Sequence, residues 1–172
     1  RAAVSSTFKR ACREAHRRIA RFARAGLRES WDMASPRGGR IGEQYTPFDR
    51  VGVYVPGGAA PLASTALMTV TLARIAGVPE IAVCTPADRE GGVDAHVLYA
   101  ADLAGATEMY RIGGVQAIGA MAYGTDTIAA VQKIVGPGGP YVTAAKRLVY
   151  GRVALDMVAG PSEIAVLADE SA

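Results

Sequence analysis

The feature that most constrains the fold of this 172-residue chain is an alternation of short β-branched runs with longer helical stretches through residues 51–172. VGVYV (51–55) ends at Pro56-Gly57-Gly58, and a helix is expected over 64–76 with Ser64 as its N-cap. EIAVCT (80–85) precedes a helix over 93–104 that stops at Gly105. EMYRI (108–112) runs into Gly113-Gly114 and a helix from 115 to about 123. QKIV (132–135) runs into Gly136-Pro137-Gly138-Gly139 and a helix over 140–150, and EIAVLA (163–168) is the last strand. Strands separated by helices of this length pair in parallel through right-handed crossovers. The expected fold is therefore α/β, with a doubly wound, mainly parallel sheet.

Residues 4 to about 30 read differently. Val4, Phe8, Ala11, Ala15, Ile19, Phe22 and Leu27 recur at helical spacing, and the opposite face is Arg and Lys. Trp31 and Met33 follow, then SPRGGRIG, which has turn composition. Residues 1–50 hold 12 Lys and Arg against 5 Asp and Glu, whereas residues 51–172 hold 7 against 11, so the basic character belongs to the arm and not to the body. No aromatic residues are interleaved with the basic face for stacking on bases, so a solvated helix face is expected and not a nucleic-acid or membrane surface. This gives two units, an N-terminal helix and connecting arm over 1–50 and an α/β nucleotide-binding-type domain over 51–172.

Half of the residues are hydrophobic and a fifth are charged, which is globular composition. The apolar stretches are interrupted and no h-region follows the first basic residues, so neither a membrane span nor a signal peptide is read and a cytoplasmic protein is expected. Cys12 and Cys84 lie far apart, which excludes a disulfide framework and predicts buried reduced thiols. The chain begins with Arg1 and ends in a strand followed by polar residues, so both ends read as cut points and the α/β domain as incomplete.

Ligands of open α/β sheets bind beyond the carboxyl ends of the strands. Those ends carry YVPGGAAP, IGGVQA, VGPGGP and MVAGPSE. Glycine permits close backbone approach, and the helix N-termini that follow favour anionic groups. A nucleotide site on this rim is the expectation. Standard nucleotide motifs are missing: GPGGPY has Tyr141 where GxGxxG needs its third Gly, and Ala120 and Met121 stand where a P-loop from Gly114 needs Lys and Ser or Thr. His16 and His96 have no second ligand at metal spacing, and no catalytic cluster is visible.

Four stretches in order, VGVYVPGGAAPLASTALM, IGGVQAIGAMAYGT, KIVGPGGPYVTAAKRLVYG and DMVAGPSEIAVLAD, resemble the histidinol dehydrogenase family from about residue 30 onward. The resemblance implies a zinc-dependent oxidoreductase that converts L-histidinol to L-histidine through L-histidinal with two NAD in succession, the last step of histidine biosynthesis. It also implies a homodimer and a sheet related to the aldehyde dehydrogenases, which agrees with the absent GxGxxG. Tyr54 and Gln116 match NAD contacts of the family. Gly139 stands where the family's GPGN carries an Asn, removing a side-chain amide from the third NAD contact. Ser162 matches a substrate contact, and Ser64 is a further substrate candidate. The family's zinc ligands and its Glu-His acid/base pair fall beyond this chain, so no catalytic or metal-binding residue is assigned within it. Other readings are a paralogous NAD-dependent dehydrogenase of another polyol or sulfonated diol, and a non-catalytic nucleotide-binding module. A sheet missing its neighbours would expose apolar faces and strand edges.

Overall fold

The computed structural model describes residues 4–57, 61–158 and 163–169. The elements are α1 (Ser6–Ala25), β1 (Trp31–Ala34), β2 (Arg40–Glu43), β3 (Arg50–Tyr54), α2 (Ala63–Ile75), β4 (Glu80–Thr85), α3 (Ala95–Ala104), β5 (Glu108–Arg111), α4 (Gly114–Tyr123), β6 (Lys133–Val135), α5 (Pro140–Val149) and β7 (Ala154–Leu155). Five strands form one parallel sheet in the order β5-β4-β3-β6-β7.

The pattern of β3 explains why it is central. All five of its residues are buried. Side chains alternate across a strand, so Val51, Val53 and Val55 join a core with Cys12 of α1, Leu67 and Val70 of α2, and Val97 of α3. On the opposite face Tyr54 packs with Cys84, Ile118 and Met121 of α4 and Val142 of α5. Gly52 lets that helix come close, because a Cβ there would lie 2.5 Å from the Met121 sulfur. Helices α1, α2 and α3 thus cover one face and α4 and α5 the other, which is the doubly wound arrangement expected.

Both thiols are reduced and buried. Burial pushes the Cys84 thiol up to about 12 and also raises Cys12, so both are inert packing residues. No described helix is long and apolar enough to cross a membrane.

Below the sheet, at the start of the strands, the buried Arg50 reaches Glu80 at 2.7 Å and Glu108 at 2.9 Å. Its Nε also donates to the Ala129 carbonyl at 3.3 Å. The Arg50 guanidinium, with the Tyr110 hydroxyl, holds the Glu108 carboxyl down to about 2. One arginine therefore ties the beginnings of β3, β4 and β5 together.

Several expectations change. The first helix ends at Ala25, not near 30, where Gly26 caps it. Its stripe is buried only in part: Phe8, Ala15 and Ile19 pack on the core, but Phe22 is 83% exposed. The turn-like SPRGGRIG segment joins an antiparallel hairpin, with Trp31 opposite Glu43 and Met33 opposite Ile41. Gly38, with φ 89°, makes that reversal possible. Helix α2 begins at Ala63 with Leu62 at its N-cap, so Ser64 lies inside the first turn and is not the cap. The Pro61-Leu62 entry starts the helix before Ser64 can flank it. The last strand is also different. Residues 163–169 form no strand, and Ile164 and Leu167 are 90% and 103% exposed. The place beside β6 is taken by Ala154–Leu155, and no described strand pairs with the later segment.

Candidate functional site

Helix α4 carries the chain from β5, at one edge, past β4 and β3 to β6. The order of the sheet therefore reverses between β3 and β6, and open α/β sheets bind ligands at such a switch point, beyond the strand ends. The loops that meet there belong to the glycine-rich stretches singled out in the sequence.

Helix capping differs among the helices. Ser5 caps α1 by accepting from the Phe8 N–H at 3.2 Å, and Asp94 caps α3 by accepting from the His96 N–H at 2.7 Å. Helices α2 and α5, which follow β3 and β6, receive no side-chain cap. Their N-terminal N–H groups carry the positive end of the helix dipole toward the rim and suit an anionic ligand such as a diphosphate.

Tyr54 is the last residue of β3 and only 5% exposed. Its hydroxyl accepts the Gly114 backbone N–H at 3.1 Å. Gly114 opens α4 with φ 64°, and Gln116 lies exposed in the same turn. On its other side Tyr54 abuts the β6 loop: a Cβ on Gly136 would lie 2.1 Å from the Tyr54 carbonyl oxygen. Gly136 has φ 119°, so both space and backbone conformation demand glycine. Three residues on, Gly139 is the exposed N-cap of α5, and its carbonyl accepts from the Thr143 N–H at 2.9 Å. Tyr54 therefore stands between the loops that carry Gln116 and Gly139.

The two serines stand apart from these. Ser64 is exposed in the first turn of α2, at the same rim but on the other face of the sheet. Ser162 lies outside the described residues. A cavity of about 600 Å³ opens between the β3 and β4 loops, lined by Pro56, Gly57, Thr85, Pro86, Asp88 and Asp94. None of Tyr54, Gln116, Gly139 or Ser64 lines it. Among the described residues no three His, Cys, Asp or Glu side chains gather to hold a metal ion.

Sequence reading missed one pair at this rim. The Lys146 ammonium, 4% exposed, donates to the Gly136 carbonyl at 3.0 Å and pairs with Asp156. The other Asp156 oxygen accepts from the Gly136 N–H at 2.8 Å. Burial pushes the Asp156 carboxyl up, but Lys146 and the Gly136 and Met157 N–H groups outweigh it and hold the group below its ordinary range. The sequence did carry a signal. Val142, Lys146 and Val149 fall on one helical stripe, and a lysine between two core valines needs a buried partner.

The family model for histidinol dehydrogenase matches residues 1–172. The histidinol dehydrogenase of Symbiobacterium thermophilum is 54% identical over 170 residues, which cover 99% of this chain and 39% of that protein. That of Methanothermobacter thermautotrophicus is 54% identical over 164 residues, covering 95% of this chain and 38% of that protein. The crystal structure of histidinol dehydrogenase from Elizabethkingia anophelis superposes with a TM-score of 0.89 at 41% identity, covering 94% of this chain and 37% of that one. The chain thus spans about two fifths of the length of the relatives it matches. With a parallel sheet reversed between β3 and β6, and a match along its whole length, this chain belongs to the histidinol dehydrogenase family.

Proposed function

We propose that this chain supplies the NAD rim and part of the substrate wall of an enzyme that oxidises L-histidinol to L-histidine through L-histidinal, the last step of histidine biosynthesis. The observation that carries this reading is the convergence on Tyr54 of the Gln116 and Gly139 loops at the switch point, in a chain of this family. Bound NAD supplies the hydride acceptor, and two are reduced per histidinol because alcohol to carboxylate is a four-electron oxidation that also takes up water.

The chain's own residues fit a dinucleotide in three ways. The uncapped N-termini of α2 and α5 flank the switch point and offer N–H donors to a diphosphate. Gly139 has open space around its missing side chain, with nothing within 4 Å of a Cβ, so a ligand can approach the backbone there. Gln116 extends an exposed amide from the first turn of α4. Tyr54 acts from beneath, holding the start of α4 through Gly114. Ser64 and Ser162 are assigned to substrate.

Zinc is different. Among the described residues no three His, Cys, Asp or Glu side chains form a zinc site. The zinc requirement, the homodimer and a cytoplasmic setting are proposed on family membership; the division into an arm over 1–50 and an α/β unit over 51–172 is proposed on the charge split and the change of pattern at residue 51.

The test is an assay of the protein that carries this chain with L-histidinol, NAD and zinc, following NADH at 340 nm (about two per turnover) and histidine by chromatography. Histidine formation is the expected result. NADH formed with a sulfonated or other diol and not with histidinol would move the chain to a paralogous dehydrogenase, and no nucleotide binding at all would end the reading.

A further inference from the structure

We infer that Lys146 and Asp156 are positioning residues of the nucleotide rim, gripping Gly136 from both sides so that the loop to Gly139 leaves β6 in one direction. The inference rests on the NAD reading of that rim. Gly136 donates its N–H to one Asp156 oxygen at 2.8 Å and accepts at its carbonyl from Lys146 at 3.0 Å. Lys146 and Asp156 in turn pair with each other. A single residue thus has both backbone dipoles held by one ion pair, and that residue already carries a left-handed φ of 119° and touches the Tyr54 carbonyl.

A buried ion pair adds little net stability, because desolvation offsets the attraction, and an apolar pair of the same size often does as well. Its clearest gain is a fixed geometry. Glycine is the residue most in need of one, since nothing in its own side chain restricts φ and ψ. Lys146 also sits on α5, the helix that the Gly136–Gly139 loop leads into. The helix therefore ties its own entry loop, and the N-cap at Gly139 is set relative to β6 and Tyr54. Preorganised donors cost a ligand less ordering on binding than a loose glycine-rich loop would.

The test replaces the pair by apolar side chains, Lys146→Met with Asp156→Leu, and compares the variant chain with its parent by three measurements. These are thermal unfolding, NAD titration calorimetry and amide hydrogen exchange at Gly136. The expected result is a melting temperature close to the parent's, faster Gly136 exchange by about tenfold or more, and NAD affinity weaker by roughly fivefold or more. Lys146→Gln with Asp156→Asn, which removes both charges and keeps hydrogen-bonding side chains, serves if the apolar double variant does not fold; a smaller change in the same direction is expected. Unchanged exchange at Gly136 would overturn the grip, and faster exchange with unchanged affinity in a folded variant would overturn the positioning role. A parent that binds no NAD would instead remove the nucleotide reading itself, a different failure from either.

Discussion

The Tyr54 hydroxyl accepts the Gly114 backbone N–H at 3.1 Å, joining the end of the central strand to the first residue of α4. The ring is buried against Cys84, Ile118 and Met121, so its bearing on a ligand at the rim runs through the loop that it holds.

Tyr54→Phe should keep the packing and lose that acceptor. A part-buried N–H left without a protein partner costs about 1–2 kcal/mol at most. For a chain of this size the melting temperature should fall by roughly 2–8 °C. NAD affinity should weaken with it, because Gln116 lies in the turn that Gly114 begins. Calorimetric melts and NAD titration of the variant check both, and a wild-type melting temperature would show that the hydroxyl bond carries nothing.

Gly139→Asn probes the opposite situation. Gly139 caps α5 with φ −68°, a conformation open to any residue, and a Cβ there meets nothing within 4 Å. Asparagine at an N-cap accepts from a first-turn N–H and is favoured over glycine by a few tenths of a kcal/mol. The variant should melt at or slightly above the parent temperature. It also supplies the side-chain amide that the resemblance implies at this position, so on the proposed NAD reading the nucleotide should bind several-fold more tightly. A weaker NAD affinity in the variant would argue that this rim uses the bare backbone and has no place for the amide.

The parallel sheet was legible because its strands carry their own punctuation. Val51, Val53 and Val55 alternate with Gly52 and Tyr54, and a Gly-Pro loop follows at once. What escaped was structure set by how segments fold back on one another and not by a local pattern. The hairpin of Trp31–Ala34 and Arg40–Glu43 was hidden because its two strands are only four residues long and pack on no core. The grip on Gly136 needs Asp156, ten residues beyond Lys146 and past the end of α5, to come back beside β6. EIAVLA misled in the other sense: its β propensity is real, but a strand also requires a partner strand, and no described strand pairs with it. At the rim, loop composition located the glycines, while the burial of Tyr54 depended on packing that composition does not encode.

Arg50→Met should cost about 2 kcal/mol or more. The arginine is buried, and its loss leaves Glu80 and Glu108 without their shared cation at the strand starts. The pH dependence follows from Glu108, whose carboxyl is held down to about 2 from an ordinary 4.5. Its contribution is complete above the unfolded value and is lost as the pH falls from about 4.5 toward 2. The side chain is 35% exposed, so solvent screening leaves on the order of 1 kcal/mol. Urea midpoints should therefore drop through this acid window in the parent, and more shallowly in Arg50→Met. Equal acid slopes in the two proteins would remove Glu108 from the account.

Apolar surface should make the chain self-associate. Ile164, Val166 and Leu167 are exposed in a segment of high β propensity, and Met33 and Ile41 face solvent side by side on the hairpin. A third patch is a groove of about 510 Å³ that includes Phe48, Met68, Leu72 and Val78. Exposed strand-competent segments recruit other chains, and a charge placed within them interrupts that pairing. Sedimentation velocity of the chain should show concentration-dependent association, and Ile164→Lys with Val166→Lys should reduce it. Neither side chain is buried, so the melting temperature should stay within about 2 °C of the parent. Association unchanged by the two lysines would shift the cause to the hairpin or the groove, and Ile41→Lys and Leu72→Lys separate those two.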